Sequence, residues 1–325
     1  MLAGIFKRAA CVVAAVAGFA LPASAASYNK VIAFGDSLSD NGNFFALTGG
    51  AQPQPGDYFI GRFSNGKVAV ELLADGLGVT LKDYAVGGAT TTLLNGAVTA
   101  ADGFPPSLTN TGLLSQITQY KTDSGSVADP NALYFIWAGS NDIRYSAPAD
   151  IPATIATAIG NLAGSVQQLY GIGARHFVLP LLPDLGLTPQ GMENGPGFAS
   201  VLTQISDGFN LNLTATYNQL LALPNLTFIP FDTSNFQRAV KNNPSTYGLS
   251  NVTNACFSGY VGEPGTQCLN PADFLYWDKV HPTTVAHQLI ANQILAAAVP
   301  EPEMAFMMLS GLLVLAAARR RLRAA

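Results

Sequence analysis

A serine hydroxyl attacks a carbonyl carbon only when a base removes its proton and preorganised donors meet the charge that develops on the substrate oxygen. Candidates for each part occur along the 325 residues. Ser37 follows directly on the apolar run 31–34, where a turn toward a helix would expose its hydroxyl and leave backbone amides pointing at an anion. The base must come from three histidines, His176, His281 and His287. His176 opens an apolar strand-like run and His287 lies inside the last helical segment, both places where a histidine is usually structural. His281 comes three residues after Asp278 and directly before Pro282, at the N-terminal edge of that helix, where a carboxylate can orient the ring and stabilise its charged form. Singly, Ser37 is one serine among many at strand ends, Asp278 a turn or cap residue, and His281 a satisfied ring. Their combination points to nucleophilic catalysis.

Short apolar runs recur at 31–34, 81–86, 133–137, 177–182 and 226–231. Segments with helical spacing lie between and after them, at 68–77, 151–170, 205–223 and 283–298. Strands alternating with helices predict a parallel sheet covered on both faces. In such sheets the functional loops follow the carboxyl ends of the strands. Those loops are Gly35-Asp36-Ser37-Leu38, Gly87-Gly88-Ala89 and Gly139-Ser140-Asn141-Asp142. The stretch 247–273, rich in Gly, Asn and Pro, reads as an inserted loop near the site.

Five blocks then fall in order: Phe34-Gly35-Asp36-Ser37-Leu38-Ser39-Asp40, Gly61-Arg62-Phe63-Ser64-Asn65-Gly66, Tyr84-Ala85-Val86-Gly87-Gly88-Ala89, Gly139-Ser140-Asn141-Asp142 and Trp277-Asp278-Lys279-Val280-His281-Pro282. Each is a weak pattern by itself, but the ordered set resembles the GDSL (SGNH) lipase/esterase family across nearly the whole interior of the chain. The similar subgroup holds phospholipases of the thermolabile-haemolysin kind and plant-type lipases. The resemblance implies a flavodoxin-like three-layer α/β/α sandwich in which Ser37 attacks an ester carbonyl, His281 shuttles the proton and Asp278 orients it. It also implies an oxyanion hole from the Ser37 amide, the Gly88 amide and the Asn141 side chain, without metal or organic cofactor. Gly87 stays an alternative to Gly88, because the doubled glycine leaves the register open. Read alone, the glycines are a turn needing positive φ and Asn141 is a helix cap. Asp36 reads as a turn acceptor. One departure concerns position 83, where the subgroup often has asparagine and this chain has Asp83, so the hydrogen bonding behind the third block is in question.

Two other motifs compete. Residues 61–67 match most of a phosphate-binding loop, but Val68 stands where a magnesium-binding hydroxyl belongs. The nucleophile-elbow pattern G-x-S-x-G is absent.

Both ends read as address labels. Residues 1–26 combine Lys7 and Arg8, an apolar run and Ala23-Ser24-Ala25, the pattern of a signal peptide, with Cys11 as filler within it. From 299 on come Pro300-Glu301-Pro302, an apolar stretch of about 15 residues against the roughly 20 of a full span, and Arg319, Arg320, Arg321 and Arg323. This tail resembles a PEP-CTERM sorting signal, implying exosortase-type processing, transient membrane contact and a destination at the envelope, surface or matrix of a Gram-negative bacterium. A plain C-terminal anchor or a final amphipathic helix is the alternative. The expected domains are thus 1–26, 27–298 and 299–325. Removing both ends takes six of sixteen cations and two of twenty acids, leaving ten against eighteen, which disfavours nucleic acid as a partner. In an oxidising setting Cys256 and Cys268 are expected to form a local disulfide, with two buried free thiols as the alternative.

The expected activity is carboxylic-ester hydrolysis on acyl-lipid or phospholipid esters. The alternatives are O-deacetylation of surface polysaccharide and a non-catalytic matrix module that keeps the fold.

Overall fold

The computed structural model describes residues 28–98 and 104–299. The leader 1–26 and its Cys11, and the tail from Pro300 on, lie outside the described residues. The chain runs through β1 (Lys30–Gly35), α1 (Asn43–Leu47), α2 (Ala69–Leu77), β2 (Thr80–Asp83), α3 (Leu113–Asp123), β3 (Leu133–Trp137), α4 (Ser140–Arg144) and α5 (Ile151–Gly171). It continues through β4 (His176–Pro180), α6 (Pro189–Glu193), α7 (Pro196–Leu220), β5 (Thr227–Phe231), α8 (Thr233–Asn242), β6 (Asn251–Ala255), β7 (Phe274–Tyr276) and α9 (Thr284–Ala298).

The first five strands form one parallel sheet in the order β2-β1-β3-β4-β5. β3, Leu-Tyr-Phe-Ile-Trp, is buried at every position, as a strand covered on both faces must be. Ile32, Phe34, Tyr134, Ile136, Phe177 and Leu179 pack with residues of α3, α5 and α7 on one face. α2 and α9 pack against each other and against β1, β2 and β5. Helices on both sides of a parallel sheet make the three-layer α/β/α sandwich expected from the sequence. Each fully buried Leu or Phe of such a core contributes about 1.5–3 kcal/mol of transfer free energy.

Two differences from the sequence expectation bear on the site. The second strand ends at Asp83 and not at Val86. Tyr84 N still donates to Ala33 O at 2.8 Å, but Ala85 N turns back to Asp83 Oδ1 at 2.9 Å. The chain then leaves the sheet and enters the Gly87-Gly88 loop. The stretch 247–273 is more ordered than a plain loop. It carries β6, which pairs in parallel with β7, and a disulfide between Cys256 and Cys268.

Gly35 closes β1 with φ +145°, and a Cβ there would lie 2.1 Å from the Trp137 carbonyl oxygen. Only glycine lets β1 and β3 end side by side at this point. Its amide and carbonyl both bond the buried Gln116 side chain at 2.8 Å, which holds the strand end two residues before Ser37. Among the described residues, no helix is long and apolar enough to cross a membrane, and the apolar stretch of the tail lies outside them.

Candidate active site

The turn after β7 brings the last sequence block back over the end of β1. His281 Nε2 lies 2.9 Å from Ser37 Oγ, and His281 Nδ1 lies 2.7 Å from Asp278 Oδ2. With the Nδ1 proton directed at Asp278, Nε2 keeps a lone pair for the Ser37 hydroxyl. Asp278 is fully buried, and each of its oxygens receives two donors. Oδ1 accepts the Val280 and His281 amides at 2.9 and 2.8 Å, while Oδ2 also accepts the Tyr58 hydroxyl at 2.6 Å. Burial pushes this carboxyl up, but the charge and bond of His281, with the Tyr58 and Val280 bonds, hold it below the ordinary carboxylate value.

The Gly61-Arg62-Phe63-Ser64-Asn65-Gly66 block holds this turn. Ser64 Oγ donates to Pro282 O at 2.8 Å, Asn65 Oδ1 accepts Thr284 N at 2.8 Å, and the Phe63 ring lies 5.2 Å from the His281 ring. These bonds commit the block to the histidine turn in place of a phosphate.

The opposite side of Ser37 is built by carboxylates. Asp36 Oδ1 accepts Leu38 N at 3.0 Å. Asp40 accepts four backbone amides, from Gly42, Asn43, Phe44 and Gly87, the last at 2.7 Å. Asp142 accepts both the amide and the hydroxyl of Thr91. Asn141 Nδ2 donates to Ala89 O at 3.0 Å, which orients its amide and leaves a second hydrogen. Gly87 N is therefore engaged by Asp40, whereas the amides of Ser37 and Gly88 have no acceptor among the described residues. Gly88 has φ +78°, and a Cβ there would lie 2.5 Å from Asn95 Oδ1. Burial pushes the Asp36 carboxyl up to about 7 and those of Asp40 and Asp142 to about 6.

Asp83 answers the question raised by the sequence. Its oxygens accept the amides of Ala85 and Asn41, both at 2.9 Å. An asparagine would turn its NH2 toward one of these donors, so the carboxylate supplies a pair of acceptors that the amide lacks. Burial, with Asp40 nearby, raises this carboxyl well above its ordinary value.

Ser37, Asn141 and His281 line a cavity of about 360 Å³ whose walls are largely apolar, including Ile143, Leu202, Ile205 and Ile290. Phe198 and Val201 of α7 stand half-exposed among its lining residues.

The other two histidines lie away from this chemistry. His176 bonds Thr227 Oγ1 at 2.7 Å at the amino end of β4, the far edge of the sheet from Ser37. His287 is fully buried and its Nδ1 accepts Ala69 N at 3.2 Å. Burial and the charge of His281 push His287 down to about 3, so it caps α2 as a neutral ring. Tyr58, Arg144 and Tyr260 were not singled out from the sequence. Tyr58 lies 220 residues from the carboxylate it contacts, and no local pattern marks such a pair. Arg144 could have been found, because it follows Asn141 by three residues on α4 and three-residue spacing shares a helix face.

The family described as GDSL-like lipase/acylhydrolase matches residues 31–294. An esterase, EstA, of Pseudomonas aeruginosa is 34% identical over 87% of this chain and 49% of its own length. A thermolabile hemolysin of Vibrio parahaemolyticus is 28% identical over 82% of this chain and 63% of its own. The chain thus spans about half the length of the first and under two thirds of the second. A solved acetyl xylan esterase, AlAXEase, is 14% identical over 83% of this chain and 100% of that one with a TM-score of 0.40, a likeness too loose to bear on activity.

Removing the Tyr58 hydroxyl leaves the Asp278 carboxylate with one donor fewer and favours a protonated partner on His281. Tyr58→Phe should therefore move the acid limb of kcat/KM to higher pH, and an unmoved limb with reduced kcat would reduce Tyr58 to a packing role. The raised carboxyls of Asp36, Asp40 and Asp142 contribute stability that is full below their ordinary value of 3.8 and lost as pH rises through about 6 to 7. The lowered Asp278 contributes stability that is lost only as pH falls below that ordinary value, so it is flat in the same window. His287, neutral down to about 3, works the opposite way, adding stability as pH rises toward its ordinary value of 6.5. One histidine against three carboxyls leaves a net fall of Tm between pH 5 and pH 7, and a Tm that rises there would show that the carboxyls are ionised throughout.

Proposed function

Because the chain belongs to the GDSL-like lipase/acylhydrolase family, we propose that it is an exported ester hydrolase working through an acyl-enzyme on acyl-lipid or phospholipid esters. Ser37 Oγ attacks the ester carbonyl carbon as His281 Nε2 takes its proton, and Asp278 stabilises the resulting imidazolium. The amides of Ser37 and Gly88 and the free hydrogen of Asn141 meet the oxyanion. Collapse of the tetrahedral intermediate breaks the bond to the alcohol oxygen, which takes the proton from His281. Water then deacylates Ser37 by the same route. The scheme uses side chains and backbone alone.

The observation that carries this reading is the Ser37–His281–Asp278 relay, with links of 2.9 and 2.7 Å, opening onto a largely apolar cavity of about 360 Å³. An acyl chain would fill that space, whereas an acetyl group would leave most of it empty. This favours lipid esters over O-acetyl polysaccharide. The chain's filled set of chemical positions argues against a non-catalytic module of the same fold.

Residues 27–298 form the catalytic domain in this reading, with 1–26 as its signal peptide. The Pro-Glu-Pro, apolar and arginine succession of 299–325 supports exosortase-type processing and delivery to the envelope or surface of a Gram-negative bacterium.

The test of catalysis is hydrolysis of p-nitrophenyl esters from acetate upward by the domain and its variants. Rates should rise with acyl length, Ser37→Ala should abolish turnover, and Asn141→Ala should lower kcat by roughly a hundredfold or more. Equal rates for the parent protein and Ser37→Ala would sink the assignment. For the tail, mass spectrometry of protein recovered from the cell surface should find a new C-terminus close to residue 299, and an intact Arg323 there would remove that part of the proposal.

A further inference from the structure

Among the described residues that line the cavity beside Ser37, Arg144 is the one lysine or arginine. Between the two address labels the chain has ten cations against eighteen acids, a setting in which an arginine readily finds a carboxylate. Arg62 pairs with Glu71, and Arg238 with Asp184 and Asp207. Arg175 spends its guanidinium on the Tyr170 and Ala174 carbonyls, and Arg144 has no carboxylate within ion-pair distance among the described residues. Its guanidinium instead lies 5.1 Å from the Tyr260 ring centroid and donates through Nη1 to the Tyr260 hydroxyl oxygen. That oxygen is thereby used as an acceptor, and the phenol keeps its own proton to give. Burial raises the Tyr260 hydroxyl above its ordinary value, which keeps it a neutral donor.

The location of this pair says which part of a substrate it faces. The Tyr260 ring stacks over His281, with centroids 6.3 Å apart and planes 18° from parallel. His281 delivers the proton to the departing alcohol oxygen, so the alcohol portion of the ester leaves on the side of His281 and Tyr260, where Arg144 forms part of the cavity wall, while the acyl portion runs along the apolar wall of Leu202, Ile205 and Ile290. We propose that Arg144 and Tyr260 form an anion subsite for the alcohol side of the substrate, taking the phosphate of a glycerophospholipid-type ester. A guanidinium fork with a phenolic hydroxyl beside it matches several oxygens of one phosphate group. An acidic polysaccharide could also offer an anion there, but its acetyl group would leave the cavity unfilled. The inference rests on the ester-hydrolase reading and adds to it the residues that select the alcohol.

The test compares a 1-acyl-glycerol-3-phosphate with the monoacylglycerol of the same chain, two substrates that differ only in the phosphate. The purified protein should prefer the phosphate ester by roughly tenfold or more in kcat/KM, a preference of the size one charged contact supplies. Arg144→Gln should bring the ratio close to one, Arg144→Lys should retain part of it, and Tyr260→Phe should lower it. Each variant is its own reference, so a general loss of folding or of His281 positioning lowers both rates and leaves the ratio. A ratio that Arg144→Gln does not move overturns the proposal. So does an Arg144→Gln protein whose loss is confined to acetate release from a uronate-bearing polysaccharide. If the parent protein cleaves p-nitrophenyl esters in a Ser37-dependent way but neither glycerolipid, the hydrolase reading stands and the phosphate subsite falls. Loss of Ser37-dependent hydrolysis altogether removes both.

Discussion

A carboxylate placed at zero solvent exposure must be surrounded by donors or give up its charge, and Asp278 is such a group. Its four hydrogen bonds impose most of the geometry around it. Two of them, from the Val280 and His281 amides, curl the chain into the turn that carries the imidazole. The third orients that imidazole, and the fourth reaches across the fold to Tyr58. Satisfying one buried charge thus fixes the ring, its tautomer and the loop before the 61–66 block in one arrangement. Once the turn exists, that block has its own partners in Pro282 and Thr284. The position of His281 against Ser37 is in this sense a consequence of keeping Asp278 ionised.

The other half of the site uses buried acids differently. Asp36, Asp40, Asp83 and Asp142 have no ion-paired cation among the described residues and bond mainly to backbone amides of the loops that leave the sheet. A loop presents more amide protons than nearby carbonyls can take, and side chains that only accept make up the difference. Asp40 removes Gly87 N from the reckoning and leaves Gly88 N pointing elsewhere. Selective satisfaction of amides is what leaves those of Ser37 and Gly88 spare among the described residues. It has a cost, since burial away from water disfavours ionisation and raises the proton affinity of these acids.

The sequence announced the parallel sheet and, for β1, β3 and β5, where the strands end, because buried strands read as continuous apolar runs and their following loops carry Gly, Ser and Asn; β2 and β4 end earlier than their apolar runs. It announced His281 with Asp278 because they lie three residues apart. What stayed hidden depends on contacts far apart along the chain. Nothing near Tyr58 signals a partner 220 positions away, and nothing near Gly87 says that a carboxylate 47 positions earlier claims its amide. Helix α3 was missed for a local reason. Its sequence Leu-Leu-Ser-Gln-Ile-Thr-Gln-Tyr-Lys-Thr-Asp is mostly polar, and beside the core residues Leu113, Ile117 and Tyr120 its buried face carries Gln116, which serves the end of β1. The stretch 247–273 looked like loop because its Gly and Asn content outweighs the five residues that pair as β6.

Ser37 and His281 reach the site by independent routes, and this separates what the fold fixes from what it can vary. Ser37 and Asn141 follow adjacent strands, β1 and β3, whose register aligns Gly35 with Trp137. Their spacing is therefore set by the sheet. His281 instead precedes α9, whose buried residues Ala286, Ile290 and Ile294 set it against the core and whose Leu295 would contact any Cβ at Gly76 of α2. The 2.9 Å link between Ser37 and His281 is consequently a readout of how α9 sits on the sheet. The cavity wall draws on a third source, α7, which bonds neither the nucleophile nor the base. Changes at Val201, Leu202 or Ile205 can reshape the cavity while sheet register and α9 packing keep the Ser37–His281–Asp278 geometry intact, so the shape of the cavity and the geometry of the three side chains can vary separately.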